Sequence, residues 1–468
     1  MKKQFGTIEN LEITDIADEG KSVARHNDFV VFVSGAVPGD IVDARITRTK
    51  RRFLEAKAVL FHKYSDDRTT PFCTHFGVCG GCKWQYLNYE KQLFYKQKHV
   101  EDCLQRIGKV DTQGKLLPII PSENIKFYRN KLEYTFSCYR WLTDEDMKIE
   151  SEGRDMNALG FHIPARFDKV LDIEECFLLA EPTNAIRLSV KEFALKNGLE
   201  FFDLRKQTGF LRNMIIRTTL KGDVMVIVSF FHDDDIWRNA LLEHISENFP
   251  QVTSLMYVIN SKCNDVISDL EIQLYKGDPF IIEEMDNLKF KIGPVSFFQT
   301  NSLQGIELYK VVSDFAALKG DEIVYDLYTG TGTIANFVAG NAKKVVGVEY
   351  VQSSVDDAHE NSVINGISNT VFFAGDLAKV LNPQFVLENG TPEVVITDPP
   401  RNGMHKDVVI QLLEMHPEKI VYVGCNPSTQ ARDIELLSVK YDFVKSQPID
   451  MFPHTQHVEN VVLFRRRG

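Results

Sequence analysis

The fold of the C-terminal part of this chain can be predicted outward from one stretch, Ile323-Val324-Tyr325-Asp326-Leu327-Tyr328-Thr329-Gly330-Thr331-Gly332-Thr333. This stretch reads as a short apolar strand that runs into a glycine-rich turn, where backbone N–H groups can approach a ligand closely. Outward from it, short apolar strands alternate with helical segments. The predicted strands are Ile323 to Tyr325, Lys344 to Val348, Thr370 to Phe373, Glu393 to Thr397 and Lys419 to Val423. The predicted helices include Gln352 to Asn365 and Asp407 to Met415. This alternation predicts a doubly wound, mostly parallel sheet over residues 291–468.

The rest of the chain divides into two further units, so that the whole is predicted to be a multidomain α/β protein. Residues 1–62 hold short strands separated by turn clusters, among them Phe29 to Val33 and Ile41 to Ile46, which is typical of an OB-like β-barrel. Residues 63–290 mix strand-like segments such as Val224 to Phe231 with a helix predicted from Tyr89 to Arg106. That mixture indicates a central α+β domain with long connections.

Length and composition limit the classes of protein that this chain can be. With 468 residues and 44% hydrophobic residues, it has enough apolar side chains for several packed domains, which excludes wholesale disorder. No apolar run reaches the ~18 residues that a membrane span needs. The residues Met1 to Gly6 do not lead into the apolar stretch of a signal peptide. We therefore expect a cytoplasmic protein with no membrane partner.

The formal net charge of −11 argues at first against a polyanionic partner such as nucleic acid. The charge is unevenly distributed, however, because basic residues cluster in one stretch of the barrel, in which Glu55 is the only acidic residue. The basic residues of this cluster are Arg45, Arg48, Lys50, Arg51, Arg52 and Lys57. On a barrel, such a stretch is either an ordinary solvated strand face or a surface that binds nucleic-acid phosphates.

The carboxyl end of the second predicted strand adds a candidate cofactor ligand. Glu349 lies 19 residues after Gly330, where a carboxylate can bind ribose hydroxyls. The spacing Gly330-x-Gly332-x-x-Ala335 also fits a dinucleotide fingerprint, so an NAD-dependent oxidoreductase is one alternative and a purely structural turn is another. Asp326, before the loop, favours S-adenosylmethionine, because an acidic group there can hold a cationic amino-acid moiety.

Polar residues follow the three later strands, at the sheet edge where such folds bind ligands. Asp376 follows the third strand, Asp398-Pro399-Pro400-Arg401 the fourth and Gly424-Cys425-Asn426-Pro427 the fifth. Enzymes that methylate exocyclic amino groups usually place an aromatic residue after Asp-Pro-Pro. Arg401 stands at that position here, which disfavours amino methylation.

Cys425 and Glu459 together suit methylation of carbon. C5 of a pyrimidine is a poor nucleophile, but a thiolate that adds at C6 produces an enolate whose C5 can attack a methyl sulfonium. A base must then remove the C5 proton so that the thiol can leave, and Glu459, just before the last predicted strand, is the candidate. An inert buried thiol and an exposed carboxylate are the alternative interpretations of these two residues.

Three of the eight cysteines are clustered as Cys73-x5-Cys79-x2-Cys82. In a chain of this kind, clustered thiols indicate metal binding or catalysis rather than disulfides. Four thiolates would hold zinc or an iron–sulfur cluster equally well by residue type, although the gap of five residues is unlike the usual zinc spacings. Spacing leaves the fourth ligand open among Cys103, Cys138, Cys176 and Cys263.

Taken together, these motifs resemble those of the RNA (uracil-5-)-methyltransferases, which make 5-methyluridine in ribosomal or transfer RNA. The most specific pieces are Phe297-Phe298-Gln299-Thr300-Asn301, Asp398-Pro399-Pro400-Arg401, Gly424-Cys425-Asn426-Pro427 and His457-Val458-Glu459. The resemblance covers essentially the whole chain. It implies an N-terminal TRAM barrel, a central domain and a C-terminal Rossmann-like class I methyltransferase domain that uses S-adenosylmethionine.

Matched residue by residue, the resemblance implies roles for individual side chains. It implies that Cys425 is the nucleophile and Glu459 the base that removes the C5 proton. Tyr128-Arg129-Asn130-Lys131 is similar to the family's central-domain segment near RNA, whereas Thr333 replaces an amide that the family often shows and receives no role. The implied S-adenosylmethionine site consists of Gln299, Tyr328, Gly330, Glu349, Asp376 and Asp398.

The resemblance also bears on the cysteine cluster. Many members of the family carry a 4Fe–4S cluster on cysteines with this spacing, and Asp172-Ile173-Glu174-Glu175-Cys176 matches the distant fourth ligand. The ligands that the resemblance implies are Cys73, Cys79, Cys82 and Cys176.

The sequence therefore predicts an S-adenosylmethionine-dependent enzyme that methylates C5 of a specific uridine in RNA, with no DNA partner. The combination of barrel and cysteine cluster favours 23S ribosomal RNA as the substrate, transfer RNA is the alternative, and the family implies a monomer. A noncatalytic RNA-binding protein with a degenerate methyltransferase domain is the alternative from a different class. The presence of thiol, base and cofactor acid in one chain disfavours it.

Overall fold

The computed structural model describes residues 6–17, 19–148, 153–164 and 166–468. In the N-terminal part, five strands close into a barrel in the order β1-β2-β3-β5-β4. Its strands are β1 (Thr7–Ile16), β2 (Ser22–His26), β3 (Phe29–Ser34), β4 (Ile41–Thr49) and β5 (Phe53–Lys63). The strands predicted from Phe29 and from Ile41 are confirmed, and both extend further than predicted. Met1 to Phe5, to which the signal-peptide argument refers, lie outside the described residues.

Alternation along β4 explains which side chains fill the barrel. Val42 and Ala44 are buried in its core, whereas Arg45 is exposed. Across the antiparallel pair, Arg45 lies directly opposite Lys57 of β5. Like charges opposite each other repel, so this outer face is one that a polyanion would stabilise.

The central part is built on a seven-stranded sheet in the order β12-β11-β10-β9-β6-β7-β8. Its strands are β6 (Lys131–Ser137), β7 (Ala158–Ile163), β8 (Arg166–Asp172), β9 (Leu211–Thr218), β10 (Val224–Phe230), β11 (Val252–Ile259) and β12 (Gln273–Gly277). The helices of this stretch are α1 (Tyr89–Arg106), α2 (Asp144–Lys148), α3 (Thr183–Lys196) and α4 (Asp235–Asn248). Every residue of β10 is buried, which accounts for the continuous apolar run predicted there.

The C-terminal part holds a β-hairpin and a second seven-stranded sheet, in the order β17-β16-β15-β18-β19-β21-β20. The strands are β13 (Ile281–Met285), β14 (Leu288–Ile292), β15 (Ile323–Leu327), β16 (Lys344–Glu349), β17 (Thr370–Ala374), β18 (Val394–Thr397), β19 (Lys419–Gly424), β20 (Tyr441–Ile449) and β21 (Glu459–Arg466). The helices are α5 (Ser302–Ala316), α6 (Thr333–Ala339), α7 (Gln352–Ile364), α8 (Leu377–Val380), α9 (Pro383–Asn389), α10 (Lys406–Met415) and α11 (Pro427–Leu437). Strands β15 to β19 run parallel and β21 pairs antiparallel with β19 and β20, which confirms the mostly parallel sheet.

Helix α1 has the predicted bounds, but it packs against the C-terminal sheet rather than the central one. Asn88 caps it, because its Oδ1 accepts a hydrogen bond from the Lys91 N–H at 2.9 Å. Val100 and Leu104 belong to the hydrophobic core that also contains Tyr325 of β15, and the helix lies against α11.

The segment after α1 extends the same sheet. The N–H groups of Leu117 and Ile120 donate to the carbonyls of Ser446 and Pro448 in β20, at 2.9 and 3.0 Å. Residues 89–120 therefore pack on the C-terminal sheet, although the sequence groups them with the central domain.

A single hydrophobic core connects the central and C-terminal sheets. It contains Ile215 and Met225 of the central sheet together with Val324 and Val345 of the C-terminal sheet. The β13–β14 hairpin, which lies across the boundary predicted at residue 290, contributes Phe290 to this core. Within the described ranges, no helix combines the length and apolar character that crossing a membrane requires.

Candidate active site

The register of the C-terminal sheet brings three predicted functional residues to neighbouring strand ends. Cys425 directly follows β19, whose last residue Gly424 pairs with Asn460, and Glu459 is the first residue of β21. Asp398 directly follows β18, which pairs with the other side of β19. Parallel strands of such sheets present their ligands at this carboxyl edge. The thiol and the two carboxylates consequently lie on one side of the sheet.

A cavity of about 1620 Å³ opens at this edge. All of the side chains predicted to bind the cofactor or to carry the chemistry line it: Gln299, Tyr328, Gly330, Glu349, Asp376, Asp398, Cys425 and Glu459. The structure therefore brings together, in one cavity, residues that lie up to 160 positions apart in the chain.

The glycine-rich loop after β15 forms one wall of the cavity. Tyr328, Gly330 and Gly332 have φ angles of 62°, 55° and 73°, so the loop turns through the left-handed region three times. A Cβ at Gly332 would lie 2.9 Å from the Cβ of Ala358, which leaves no room for a larger residue. The Gly330 N–H donates to Glu349 Oε2 at 3.2 Å, so the loop and the predicted ribose ligand hold each other in place.

Asp326, the acidic residue before the glycine-rich loop, has an internal hydrogen-bond partner in this structure. Its side chain is fully buried, and its Oδ2 accepts a hydrogen bond from the Thr329 hydroxyl. It turns into the base of the loop instead of lining the cavity. The contact of Asp326 with a cationic amino-acid moiety therefore stays a prediction, and in this structure its carboxyl group has a partner within the turn. Burial raises the pKa of Asp326 to about 7.

The electrostatics of the site keep its acids and its thiol protonated more readily than in water. Burial, with Glu459 and Asp398 nearby, raises the pKa of Cys425 to about 12. Burial also raises the pKa of Asp398 to about 7, and that of Glu459 to about 8 with a contribution from Asp398. Arg401 opposes the shifts of Cys425 and Glu459, because its positive charge favours their anionic forms. Such a cluster of perturbed groups in a cavity is typical of a catalytic site.

Arg401 and His457 line the same cavity, although the sequence pattern assigns them no role there. Arg401 Nη2 lies 3.1 Å from His457 Nδ1, and both residues line the cavity beside Glu459. Burial and the neighbouring Arg401 lower the pKa of His457 to about 4, so the imidazole is neutral and can accept a hydrogen bond from the guanidinium. Their presence inside the motifs Asp398 to Arg401 and His457 to Glu459 is the signal that could have found them.

The central domain contributes Arg129 to the same cavity, as its resemblance to a segment near RNA leads one to expect. Thr333 lines the cavity as well, and its hydroxyl lies 3.2 Å from that of the buried Tyr309. Arg129 and Gly81 also line a second cavity, which therefore adjoins the first.

The second cavity, of about 510 Å³, is lined by Cys73, Cys79, Cys82 and Cys176. Burial raises the pKa of all four thiols, to about 12 for Cys82 and about 11 for Cys176. The Gly81 N–H points to Cys79 Sγ at 3.4 Å, a contact that would stabilise a thiolate. Across the described ranges, no three side chains converge in the way that a single metal ion requires.

The other candidates for a fourth ligand lie elsewhere. Cys103 Sγ is 3.5 Å from the hydroxyl of Ser428 on α11, Cys138 adjoins Asp203, and Cys263 is exposed. Of the described residues around the second cavity, Cys176 is the cysteine that joins the three clustered ones.

Comparison with known proteins agrees with this geometry. The family described as tRNA (Uracil-5-)-methyltransferase matches residues 203–467, and the TRAM domain matches residues 2–59. The chain is 52% identical over 97% of its length to a protein of Bacteroides thetaiotaomicron and 53% identical over 97% to one of Porphyromonas gingivalis. The two matches cover 100% and 99% of the relatives' own lengths, and both relatives bear the name uncharacterized RNA methyltransferase.

A solved structure extends the likeness to the whole chain. The Pyrococcus abyssi tRNA (uracil-54, C5)-methyltransferase in complex with S-adenosyl-L-homocysteine is 28% identical, with a TM-score of 0.74. The match covers 97% of this chain and 99% of that one. The protein thus belongs to the RNA (uracil-5-)-methyltransferase family, as an S-adenosylmethionine-dependent enzyme with a TRAM domain that methylates C5 of uracil in RNA.

Proposed function

We propose that the enzyme methylates a specific uridine by way of a covalent bond between Cys425 and C6 of the base. The observation that carries this proposal is the register of β19 and β21, with Cys425 and Glu459 at adjacent strand ends in one cavity. A thiol and a base at that separation suit addition to C6 and proton removal from C5 of the same ring. The target uridine would leave its stack to enter the cavity.

The chemistry divides into three steps. Cys425 adds to C6 as a thiolate, which places electron density on C5. S-adenosylmethionine, when bound, supplies a methyl group on a positively charged sulfur, and C5 takes it. Glu459 then removes the C5 proton, and the electron pair of that C–H bond expels the Cys425 sulfur from C6. Arg401, whose charge favours the anionic forms of both Cys425 and Glu459, supports the first and last steps.

The cofactor would be held by the residues around the glycine loop. Glu349 accepts hydrogen bonds from the N–H groups of Gly330 and Val351 at 3.2 and 3.0 Å, which orient its carboxylate while leaving lone pairs for ribose hydroxyls. A nearby sulfonium would favour the ionised form of the partly buried Asp398. The side chains proposed for this site are Gln299, Tyr328, Gly330, Glu349, Asp376 and Asp398.

We infer that the substrate is 23S ribosomal RNA, because the barrel and the cysteine cluster together are typical of family members that act on it. Transfer RNA is the second candidate, since the Pyrococcus abyssi enzyme matched over 97% of this chain is named for tRNA. The barrel is part of that match, so its presence does not by itself distinguish a ribosomal RNA substrate from a transfer RNA substrate.

One experiment distinguishes the substrates. Purified enzyme is incubated with radiolabelled S-adenosylmethionine and either transcribed 23S RNA or a transcribed tRNA pool, and 5-methyluridine is mapped by nuclease digestion and mass spectrometry. We expect label at one uridine of the 23S RNA, and none when Cys425→Ala replaces the wild type. Label in tRNA alone would contradict the ribosomal assignment, and label in neither RNA would contradict both.

The basic face of the barrel is proposed to bind RNA phosphates. Arg48, Arg51 and Arg52 are exposed on the β4–β5 side of the barrel. Replacing all three by Gln should weaken RNA binding and lower the slope of log K against log salt by about 2, since each phosphate contact contributes ~0.7 on single strands.

Filter binding from low to high salt measures that slope. The matched control replaces Lys319, Lys343 and Arg467, which are exposed at the amino edge of the C-terminal sheet, opposite the cavity. This control should keep the wild-type slope. An unchanged slope in the barrel variant would contradict the proposal and indicate that this basic face is an ordinary solvated surface.

The second cavity is proposed to hold a 4Fe–4S cluster on Cys73, Cys79, Cys82 and Cys176. The cavity is lined by four cysteine thiols, the ligand set of a 4Fe–4S cluster, and the gap of five residues between Cys73 and Cys79 is unlike the usual zinc spacings. The thiols would ionise on binding iron. The positive charge of the iron would stabilise the thiolates and so oppose the effect of burial, which raises their pKa values. The cluster would connect the segment from Cys73 to Cys82 with Cys176 of the central domain. We propose a structural role for it, because nothing in the proposed methylation transfers electrons.

Removing the distant ligand tests this assignment. Anaerobically purified wild-type protein should contain about four iron atoms per chain and be coloured, with absorption in the visible range. Cys176→Ser should lose most of both signals, whereas Cys263→Ser should keep them because Cys263 is exposed and away from the cavity. Zinc without iron in the wild type, or full iron in Cys176→Ser, would contradict the proposal.

The pH dependence of product release follows from the raised pKa of Glu459, about 8. Glu459 can accept the C5 proton only when it is ionised, so the release rate should rise with pH and level off above about 8. Single-turnover release of methylated RNA measures this, and Glu459→Gln should lose the rise. A wild-type release rate that does not change across pH 8 would contradict the role of Glu459.

A further inference from the structure

Residues 450–458, here called the base loop, connect β20 to β21 and end immediately before Glu459. Segments far away in the chain hold its backbone. The N–H groups of Lys83 and Trp84, next to the cysteine cluster, donate to the His454 carbonyl at 2.8 and 3.0 Å. The hydroxyl of Tyr128 donates to the Pro453 carbonyl at 3.1 Å. The base loop is therefore held from outside rather than by its own contacts alone.

The strongest of these attachments is an ion pair between α1 and the base loop. Lys96 and Asp450 both have fully buried side chains, and Lys96 Nζ donates to Asp450 Oδ1 at 2.5 Å. The same ammonium donates to the Phe452 carbonyl at 2.9 Å. Asp450 Oδ1 accepts the Phe452 N–H at 3.0 Å, and Asp450 Oδ2 accepts the Tyr89 hydroxyl at 2.9 Å. One buried charge pair thus holds the loop at two points, the Asp450 side chain and the Phe452 backbone.

The ion pair is coupled to the active site through short connections. Asp450 follows Ile449, which pairs with Glu459 across the β20–β21 hairpin. Phe452, whose backbone Lys96 holds, lines the active-site cavity, and its ring lies against that of His457. A shift of the loop would therefore move the cavity wall and the strand end that carries Glu459.

Stability alone does not account for this arrangement. Burying two charges costs desolvation energy that their attraction only partly offsets, and apolar pairs of similar volume are often as stable. What the ion pair adds is a fixed geometry between α1 and the loop. We propose that Lys96 and Asp450 are positioning residues that set the place of Glu459 for removal of the C5 proton. This inference rests on the role of Glu459 in the proposed function.

The test replaces the pair by a neutral one of similar shape, Lys96→Met with Asp450→Asn. This double variant keeps an acceptor for the Phe452 N–H but loses both contacts that the Lys96 ammonium makes with the loop. We expect it to fold, to bind S-adenosylmethionine as wild type does, and to form the covalent complex with 5-fluorouridine RNA at an unchanged rate. Release of product from ordinary RNA should slow by about 10- to 100-fold, with accumulation of covalent enzyme–RNA, because small misplacements of a catalytic group have effects of this size.

The matched control is Lys91→Met with Asp67→Asn, which removes an ion pair on the same helix that is partly exposed, with its atoms 3.2 Å apart. It should release product at the wild-type rate. A loss of packing alone would slow trapping and release together, whereas loss of positioning slows release only.

Each outcome has one meaning. Wild-type release in the folded double variant would overturn the positioning role, while accumulation of the adduct in Glu459→Gln would leave the proposed function intact. Absence of accumulation in Glu459→Gln would overturn the base assignment and this inference with it. If the double variant does not fold, Tyr89→Phe removes the hydroxyl that donates to Asp450 and accepts the Ser122 N–H, and it should slow release about threefold or more. Unchanged release in that variant would overturn the inference.

Discussion

Replacing Cys425 by alanine is expected to lower methyl transfer by at least about 10⁴-fold, because C5 then has no nucleophile at C6 to activate it. Binding of S-adenosylmethionine should persist, since the proposed cofactor residues are other side chains of the cavity. Transfer of labelled methyl to RNA measures the loss, and calorimetry with the cofactor checks that the variant is folded.

Serine at the same position provides the control for shape. Cys425→Ser keeps the size of the side chain but offers a hydroxyl, which is a far weaker nucleophile at neutral pH. We expect it to be almost as inactive as Cys425→Ala. Substantial methyl transfer by either variant would contradict the covalent mechanism.

Replacing Glu459 by glutamine is expected to separate bond formation from release. The buried side chain keeps its size, so Cys425 can still add to C6 and C5 can still be methylated. The C5 proton then lacks its acceptor, and release should slow by about 10²- to 10⁴-fold. The methylated RNA should accumulate as a covalent complex with ordinary uridine.

Denaturing gels of a single turnover measure this accumulation. The double variant Cys425→Ala with Glu459→Gln is the control, and it should show no covalent complex at any time. Product release from Glu459→Gln at the wild-type rate would remove the proposed role of this residue.

The sequence predicts the catalytic edge well because strand ends follow a general rule. In a parallel sheet the residues after each strand share one edge, so Asp398 and Cys425 could be brought together without a structure. The role of Glu459 is harder to predict, because an exposed carboxylate without a function is equally common at the start of a strand. Its burial depends on β20, an additional strand at the sheet edge that carries Pro448 and was not predicted.

Other features depend on contacts that a linear pattern does not contain. Asp326 and Asp398 both lie at the ends of apolar strands in the sequence pattern. In the structure, Asp326 bonds to Thr329 in the turn and does not line the cavity, whereas Asp398 lines it. Helix α1 has the predicted bounds, but its packing on α11 reverses its grouping with the central domain. The approach of Lys96 to Asp450 joins residues 354 positions apart, which periodicity cannot reveal.

The net charge illustrates the same limit. A value of −11 describes the whole surface, whereas RNA would meet one face of the barrel. Several of the acids that make the chain negative are buried in the cavity, where Asp398 and Glu459 have raised pKa values. The average charge therefore says little about the partner, and the local distribution says more.

The measurement that tests the central claim most directly is the mass of the enzyme after reaction with RNA containing 5-fluorouridine and S-adenosylmethionine. Fluorine at C5 leaves no proton for Glu459 to remove, so the adduct should persist through denaturation and nuclease digestion. We predict that mass spectrometry will find the methylated 5-fluorouridine attached to the peptide that contains Cys425. An unmodified enzyme, or attachment at any other cysteine, would contradict the account.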